Sequence, residues 1–128
     1  MPSVAQTGNS EMTAIVTGDV EKAHKLAAFY DIPHVYSYDR YDEMLKAGVA
    51  DAVYIALPNS MHADYAIRAA EAGLHALVEK PLAVTLAESE AMIAAAAKAG
   101  THLMTAYRLH NDAATIAVYP DRWRCHCK

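Results

Sequence analysis

The sequence predicts an α/β fold with a mostly parallel sheet, and two patterns carry this prediction. Short apolar runs alternate along the chain with segments whose apolar residues recur at helical spacing. One run, DAVYIAL at residues 51–57, is almost continuously apolar, as expected for a strand covered by helices on both faces. Parallel strands need long crossover connections, so this alternation is typical of strands joined by helices.

The composition is that of one soluble domain. The chain has 128 residues, of which 54% are hydrophobic and 20% charged. No apolar stretch approaches the roughly 20 residues of a transmembrane helix, and no signal peptide is recognisable, so we expect a cytoplasmic protein with no membrane partner. The formal charge of −4 argues against a nucleic-acid partner.

The first predicted unit is a strand over residues 12–17 followed by a helix. The strand, MTAIVT, is rich in β-branched residues. The helix is predicted from apolar residues at i, i+3, i+4 and i+7, which are Ala23, Leu26, Ala27 and Tyr30. Asp19 stands where an N-cap is expected.

The second unit pairs a strand at residues 34–38 with a short helix. Asp39 is predicted to cap this helix and Gly48 to end it. Its apolar residues are Tyr41, Met44 and Leu45. The third strand is the run at residues 51–57, which Pro58 stops.

The remaining predicted elements are a helix over about residues 60–72, a strand at 74–78, a further helix and a last strand at 102–107. Thr85 and Glu88 have the T-x-x-E spacing of a capping box, which predicts where the further helix begins. That helix is predicted to bury three residues, Met92, Ile93 and Ala96.

Polar residues follow four of the predicted strands, at the sheet edge where open parallel sheets bind ligands. The four groups are Thr17-Gly18-Asp19 with Lys22, Pro58-Asn59 with His62, Glu79-Lys80-Pro81, and Tyr107-Arg108. Each group alone has an ordinary structural interpretation, such as a helix cap, a strand stop, a satisfied histidine or a charged strand end. Their occurrence in one fixed order favours a shared site.

The segments PNSMH, AGLHALVEKP and YRLH carry a resemblance to a known family. Residues 11–109 resemble the nucleotide-binding domain of the glucose-fructose oxidoreductase and inositol dehydrogenase (Gfo/Idh/MocA) family, which transfers hydride between NAD(P) and sugars, polyols and related compounds. The resemblance implies a Rossmann-like sheet and a dinucleotide partner. It also implies a sugar or polyol substrate in the complete enzyme and leaves a homo-oligomer open.

The resemblance assigns a role to two of the motifs. Pro58, Asn59 and His62 match residues that line the dinucleotide. Glu79 and Lys80 match the E-K-P motif, in which the lysine reaches the nicotinamide and the reacting hydroxyl. Lys80 is therefore the expected catalytic residue, because its ammonium group can stabilise developing negative charge or exchange a proton.

The turn after the first strand bears on the choice of cofactor. Thr17, Gly18 and Lys22 resemble the S-G-x-x-x-K pattern of family members that accept NADP, and a hydroxyl, backbone N–H groups and a cation suit a 2'-phosphate. NADP is thus the expected cofactor. Asp19 leaves NAD open, since an inward carboxylate would accept a hydrogen bond from a free ribose 2'-hydroxyl.

Arg108 matches the point where the family's chain leaves its last strand, near cofactor and substrate.

The chain departs from the family pattern at both ends. It contains no G-x-G-x-x-G, so we expect the first strand and the pyrophosphate loop to be lacking and residues 1–10 to be a remnant of the helix and loop that follow them. Residues 110–128 are predicted to be an atypical tail in place of a substrate domain. The tail holds both cysteines, but one histidine beside them leaves a zinc site short of ligands, and no metal is expected.

A missing first strand would leave two open edges facing each other, because in the order 3-2-1-4-5-6 it lies between the strands beginning near Met12 and Asp51. Four outcomes remain open: residues 1–10 fill the slot, the half-sheets close on each other, a partner chain completes the sheet, or the chain is marginally folded. We expect no dehydrogenase turnover from the chain by itself. The alternative function is an inactive remnant or interaction module that recruits another chain by strand addition.

Overall fold

The structure is a computed structural model that describes residues 8–118, apart from the side chains of His110 and Asn111. The described residues form five strands: β1 Ala14–Thr17, β2 His34–Ser37, β3 Ala52–Ile55, β4 His75–Glu79 and β5 Leu103–Ala106. They also form five α-helices: α1 Val20–Tyr30, α2 Tyr41–Lys46, α3 His62–Glu71, α4 Leu86–Ala99 and α5 Ala113–Val118. Short 3-10 turns precede three of these helices, at Tyr38–Arg40, Asn59–Met61 and Arg108–Asn111. The alternation of strands and helices confirms the predicted α/β class.

All strand pairs are parallel, but they form two sheets. β1 pairs with β2, and β3, β4 and β5 form a second sheet with β4 in the middle. Within the described part of the chain no strand pairing joins β1 to β3, so the two half-sheets do not close on each other. Residues 8–10 have no regular secondary structure, and residues 1–7 lie outside the described range.

One apolar core serves both sheets. Tyr36 of β2, Ile55 of β3 and Met92 of α4 belong to the same buried cluster. Val78 at the centre of β4 and Ala69 on α3 have no exposed surface. The core lies where α3 packs against both β4 and α4.

In the part of the chain that the structure describes, the opposite face of the three-stranded sheet is largely exposed. Tyr54, Leu77 and Met104 lie in register across β3, β4 and β5 on this face. Tyr54 is 58% exposed and Met104 is 57% exposed. The prediction that the strand at residues 51–57 is covered on both faces is therefore wrong, because an apolar run reports the tendency to be buried and not the presence of a covering element.

Two predicted helix caps are confirmed. The Asp19 carboxylate accepts a hydrogen bond from the Lys22 backbone N–H at 3.0 Å and caps α1. At the start of α4, Glu88 N–H donates to Thr85 Oγ1 at 3.2 Å, while Thr85 N–H donates to the Glu88 carboxylate at 2.9 Å. Both bonds satisfy backbone donors that a helix start leaves unpaired.

Two predictions about individual residues are wrong. Asp39 does not cap α2, because it lies inside the 3-10 turn that precedes the helix, and α2 has no side-chain cap hydrogen bond. Ile93 is 56% exposed, whereas Met92 and Ala96 are buried. Adjacent helical residues point about 100° apart, so a stripe that buries residues 92 and 96 leaves position 93 outside it.

The described helices include none long and apolar enough to cross a membrane. In the segment predicted to be a tail, the structure describes the 3-10 turn and α5, whose residues are not buried. Cys125 and Cys127 lie outside the described residues.

Candidate dinucleotide site

The predicted motifs follow the carboxyl ends of β3, β4 and β5, which lie at one edge of the sheet because the three strands are parallel. Pro58 and Asn59 follow β3, Glu79 ends β4, and Tyr107 and Arg108 follow β5. Pro58 and Asn59 are exposed at the entry to the 3-10 turn that leads into α3. The topology thus brings three of the four motifs to one edge.

His62 joins two of these motifs from inside the protein. It is the first residue of α3 and has no exposed surface. Its Nδ1 lies 2.9 Å from the carbonyl oxygen of Pro81, and its Nε2 lies 2.9 Å from the carbonyl oxygen of Leu57. The ring therefore connects the turn after β4 to the end of β3 instead of facing solvent.

The Glu79 carboxylate is held by hydrogen bonds on both oxygens. The Tyr54 hydroxyl donates to one oxygen, and the Lys80 backbone N–H donates to the other at 3.1 Å. The bond from Tyr54 is the main reason that the pKa of Glu79 lies below its ordinary value. The same bond, together with partial burial, raises the pKa of Tyr54 to about 12. Glu79 is thereby kept ionised and fixed in orientation.

Sequence reasoning missed Tyr54 as a residue of this site. It stands in the middle of an apolar strand, where an aromatic side chain is usually attributed to packing. The available signal was the phenol hydroxyl, which needs a polar partner wherever the ring lies against a sheet. Only the register of β3 against β4 identifies Glu79 as that partner.

Lys80 emerges into an open cleft of about 450 Å³. The other lining residues are Pro81, Leu82, Thr105 and Tyr107. Pro81 and Leu82 give the cleft an apolar wall, while the lysine and the two hydroxyl-bearing residues add polar groups. This combination suits a flat, polar ring with a hydrogen-bonding partner beside it.

The turn after β1 forms a second polar group. The Thr17 hydroxyl accepts a hydrogen bond from the Asp19 N–H at 3.2 Å, and Asp19 is in turn used as the cap of α1. A Cβ atom at Gly18 would lie 3.2 Å from the Tyr38 ring, so the close approach of that ring favours glycine. Lys22 is exposed in the first turn of α1, where the helix N-terminus favours anions.

Arg108 directly follows Tyr107, one of the residues that line the cleft. It is exposed in the 3-10 turn after β5 and is not among the residues that line the cleft around Lys80. Two hydrogen bonds from Thr115 are the main reason that the pKa of Asp112 is lowered, and the positive charge of Arg108 contributes further.

Comparison with known proteins identifies relatives of this chain. The chain is 35% identical over 115 residues to D-xylose 1-dehydrogenase [NADP(+)] of Haloarcula marismortui, an alignment that covers 89% of this chain and 32% of that protein. It is 36% identical over 108 residues to an NADP(+)-dependent scyllo-inositol 2-dehydrogenase of Bacillus subtilis, covering 84% of this chain and 32% of the relative. The chain thus spans about a third of the length of these relatives.

Solved structures show the same fold. The aldose-aldose oxidoreductase from Caulobacter crescentus, complexed with glycerol, matches with a TM-score of 0.84 and 43% identity over 89% of this chain and 35% of that one. A 3-ketoreductase from Actinomadura kijaniata, in complex with TDP-benzene and NADP, matches with a TM-score of 0.83 and 29% identity over 91% of this chain and 36% of that one. Residues 1–107 match the family described as "Oxidoreductase family, NAD-binding Rossmann fold". The chain therefore belongs to the Gfo/Idh/MocA family of oxidoreductases.

Proposed function

We propose that this chain is the dinucleotide-binding part of an NAD(P)-dependent oxidoreductase that acts on a CH–OH group of a sugar, a polyol or a related compound. The observation that carries the proposal is the position of Lys80, which enters a cleft at the carboxyl edge of a parallel sheet beside Thr105 and Tyr107. This edge is where open α/β sheets bind ligands. Family membership and the activities of the relatives support the same conclusion.

Lys80 is the proposed catalytic residue. When bound, the nicotinamide of NAD(P) supplies the centre that accepts or donates hydride. The Lys80 amino group would hydrogen-bond the substrate oxygen, take up or release its proton and offset the charge that develops on it. Glu79 supports this role by accepting a hydrogen bond from the Lys80 backbone N–H, which fixes the point where the side chain leaves the strand.

NADP is the proposed cofactor in preference to NAD. The turn after β1 offers a hydroxyl from Thr17, an α-helix N-terminus and the exposed Lys22 ammonium. This donor set fits a 2'-phosphate. Asp19, which would favour NAD if it faced a ribose, instead has one carboxylate oxygen engaged as the helix cap.

The experiment is chemical-shift mapping by NMR on the 128-residue chain as NADPH is added. We expect the perturbed backbone signals to be those of Thr17 to Lys22, Asn59 and Lys80. The internal control is the pair His75 and His102, whose rings lie 4.8 Å apart at the amino ends of β4 and β5. Perturbation at that edge, or no saturable change at all, would contradict the proposal.

A second candidate function is an interaction module without catalysis. Its supporting observation is that β1 and β3 each pair on one side only in the described part of the chain. Unpaired strand edges bind extended segments of other chains through main-chain hydrogen bonds. In the same titration this function predicts no response to NADPH, together with a concentration-dependent rise in mass by light scattering.

A further inference from the structure

His62 is a buried ionisable residue that the proposed chemistry does not use. Its ring has no exposed surface, so every contact it makes is with the protein itself. Both ring nitrogens lie 2.9 Å from main-chain carbonyl oxygens, those of Pro81 and Leu57. The contacts reach residues 19 and 5 positions away in sequence, so the ring spans two separate loops.

Both partners of the ring are hydrogen-bond acceptors. A carbonyl oxygen only accepts hydrogen bonds, so the donor in each case is a ring N–H. A ring that lies between two such oxygens therefore bonds to one loop and contacts the other as well.

We propose that His62 is a positioning residue whose two ring nitrogens, each 2.9 Å from a main-chain carbonyl oxygen, hold the Lys80–Pro81 turn against the end of β3. Pro81 has no backbone N–H with which to anchor the turn, so its carbonyl group is the available main-chain contact at that residue. The bond to Leu57 ties the same ring to the residue before Pro58. His62 thus sets the distance between the two motifs and the place where Lys80 enters the cleft.

The two hydrogen bonds are a property of this chain alone, and only the importance of Lys80 rests on the proposed function. The first test uses the unaltered chain labelled with ¹⁵N and ¹³C. We expect a ring N–H of His62 to show a coupling across a hydrogen bond to the carbonyl carbon of Leu57 or Pro81. The absence of both couplings would overturn the proposal.

The second test compares His62→Gln with His24→Gln. His24 is exposed on α1 and serves as the matched control. In His62→Gln we expect altered backbone signals at Lys80 and Pro81 and about tenfold faster amide exchange at Lys80, because an amide side chain cannot reach both carbonyl groups. Signals of β1 and β2 should stay unchanged in both variants. Unaltered Lys80 signals in folded His62→Gln would contradict a positioning role, and the first test stands if this variant fails to fold.

Adding NADPH to the folded variants separates the two proposals. We expect His62→Gln to lose the NADPH-dependent shift at Lys80 while keeping the shifts at Thr17 to Lys22. A purely structural defect would weaken both sets together and would count against positioning. If the unaltered chain shows the hydrogen-bond coupling of His62 but no response to NADPH, the proposed function fails and the positioning of the turn by His62 stands.

Discussion

At the scale of single residues, the candidate site depends on a small number of charged side chains with distinct surroundings. Lys22 is exposed beside a helix N-terminus, and Lys80 enters a cleft with an apolar wall. Glu79 is held between Tyr54 and the Lys80 N–H. Each of these arrangements leads to a measurable expectation.

Lys22 should discriminate between the two cofactors. We expect Lys22→Ala to weaken NADPH binding by roughly tenfold and NADH binding much less, because only NADPH carries the 2'-phosphate that a cation can contact. The measurement is a fluorescence titration of the chain with each cofactor. Lys25→Ala, one turn along α1 and paired with Glu21 at 2.9 Å, is the control. Equal losses for both cofactors would refute the assignment.

Lys80 should affect turnover more than binding. In a chimera that carries residues 11–109 within the Bacillus subtilis scyllo-inositol 2-dehydrogenase, Lys80→Ala should lower kcat by about 10²- to 10⁴-fold and leave the cofactor Kd nearly unchanged. Steady-state kinetics and a cofactor titration measure the two quantities. Lys98→Ala near the end of α4 is the control. Near-normal turnover would indicate that Lys80 is an ordinary surface lysine without a catalytic role.

The Tyr54–Glu79 bond should give a pH-dependent contribution to stability. The folded-state pKa of Glu79 lies below its ordinary value, so this contribution is present at neutral pH and is lost as the pH falls through the folded pKa. Tyr54→Phe should therefore lower Tm at pH 7, with the difference from the unaltered chain shrinking below about pH 4. Thermal melts at several pH values test this. A difference that persists in acid would show that packing, and not the ionised carboxylate, is responsible.

At the scale of elements, one arginine joins α2 to α3. The Arg68 guanidinium donates to Asp42 of α2 at 2.8 and 3.0 Å and to Asp64 of its own helix at 3.0 Å. It also lies 4.9 Å above the Tyr41 ring and 5.2 Å above the Tyr65 ring. The Tyr41 hydroxyl donates to the Tyr65 carbonyl oxygen at 3.0 Å, and burial raises the pKa of Tyr41. These contacts fasten α2 against the helix that begins at His62.

Loss of this arginine should destabilise the fold. Arg68→Ala is expected to lower the free energy of unfolding by about 1–2 kcal/mol, since two ring contacts and two partly screened ion pairs are removed. Urea denaturation measures the change. Arg40→Ala is the control, because the Arg40–Glu43 pair lies on the exposed surface and should contribute little. Equal effects of the two substitutions would disprove the linking role.

At the scale of the whole molecule, the described residues enclose the cleft around Lys80 on one side only. The cleft around Lys80 is formed by residues after β4 and by the end of β5, and it is open to solvent. Hydride transfer needs the nicotinamide and the substrate held about 3–3.5 Å apart, with water excluded. An open cleft with one wall does not impose that geometry.

We therefore expect the 128-residue chain to bind NADPH weakly and to show no dehydrogenase turnover with sugars or polyols. The measurement is NADPH formation in the presence of a panel of such substrates at high protein concentration. Saturable turnover that disappears in Lys80→Ala would show that a cleft with one wall is enough to hold the nicotinamide and the substrate for hydride transfer. Turnover that persists in Lys80→Ala would indicate a contaminating enzyme.

Local patterns were enough to predict most elements and two of the caps. The strand at β3 and the helix at α4 are predictable because periodicity and capping chemistry act over a few neighbouring residues, as with Thr85 and Glu88. Asp39 and Ile93 were predicted wrongly because a cap and a buried stripe depend on where a helix actually begins and which side faces the core.

The sequence by itself determined the parallel α/β class, the family and the order of the motifs along the chain. Each of these follows from patterns among residues that are close together in sequence. Only the tertiary structure decided that His62 is buried between two carbonyl groups and that Tyr54 is the partner of Glu79. Those contacts join residues up to 25 positions apart, and they depend on strand register and loop approach. The tertiary structure also decided that the strands divide into two sheets with one core, since strand pairing joins segments that are distant in sequence.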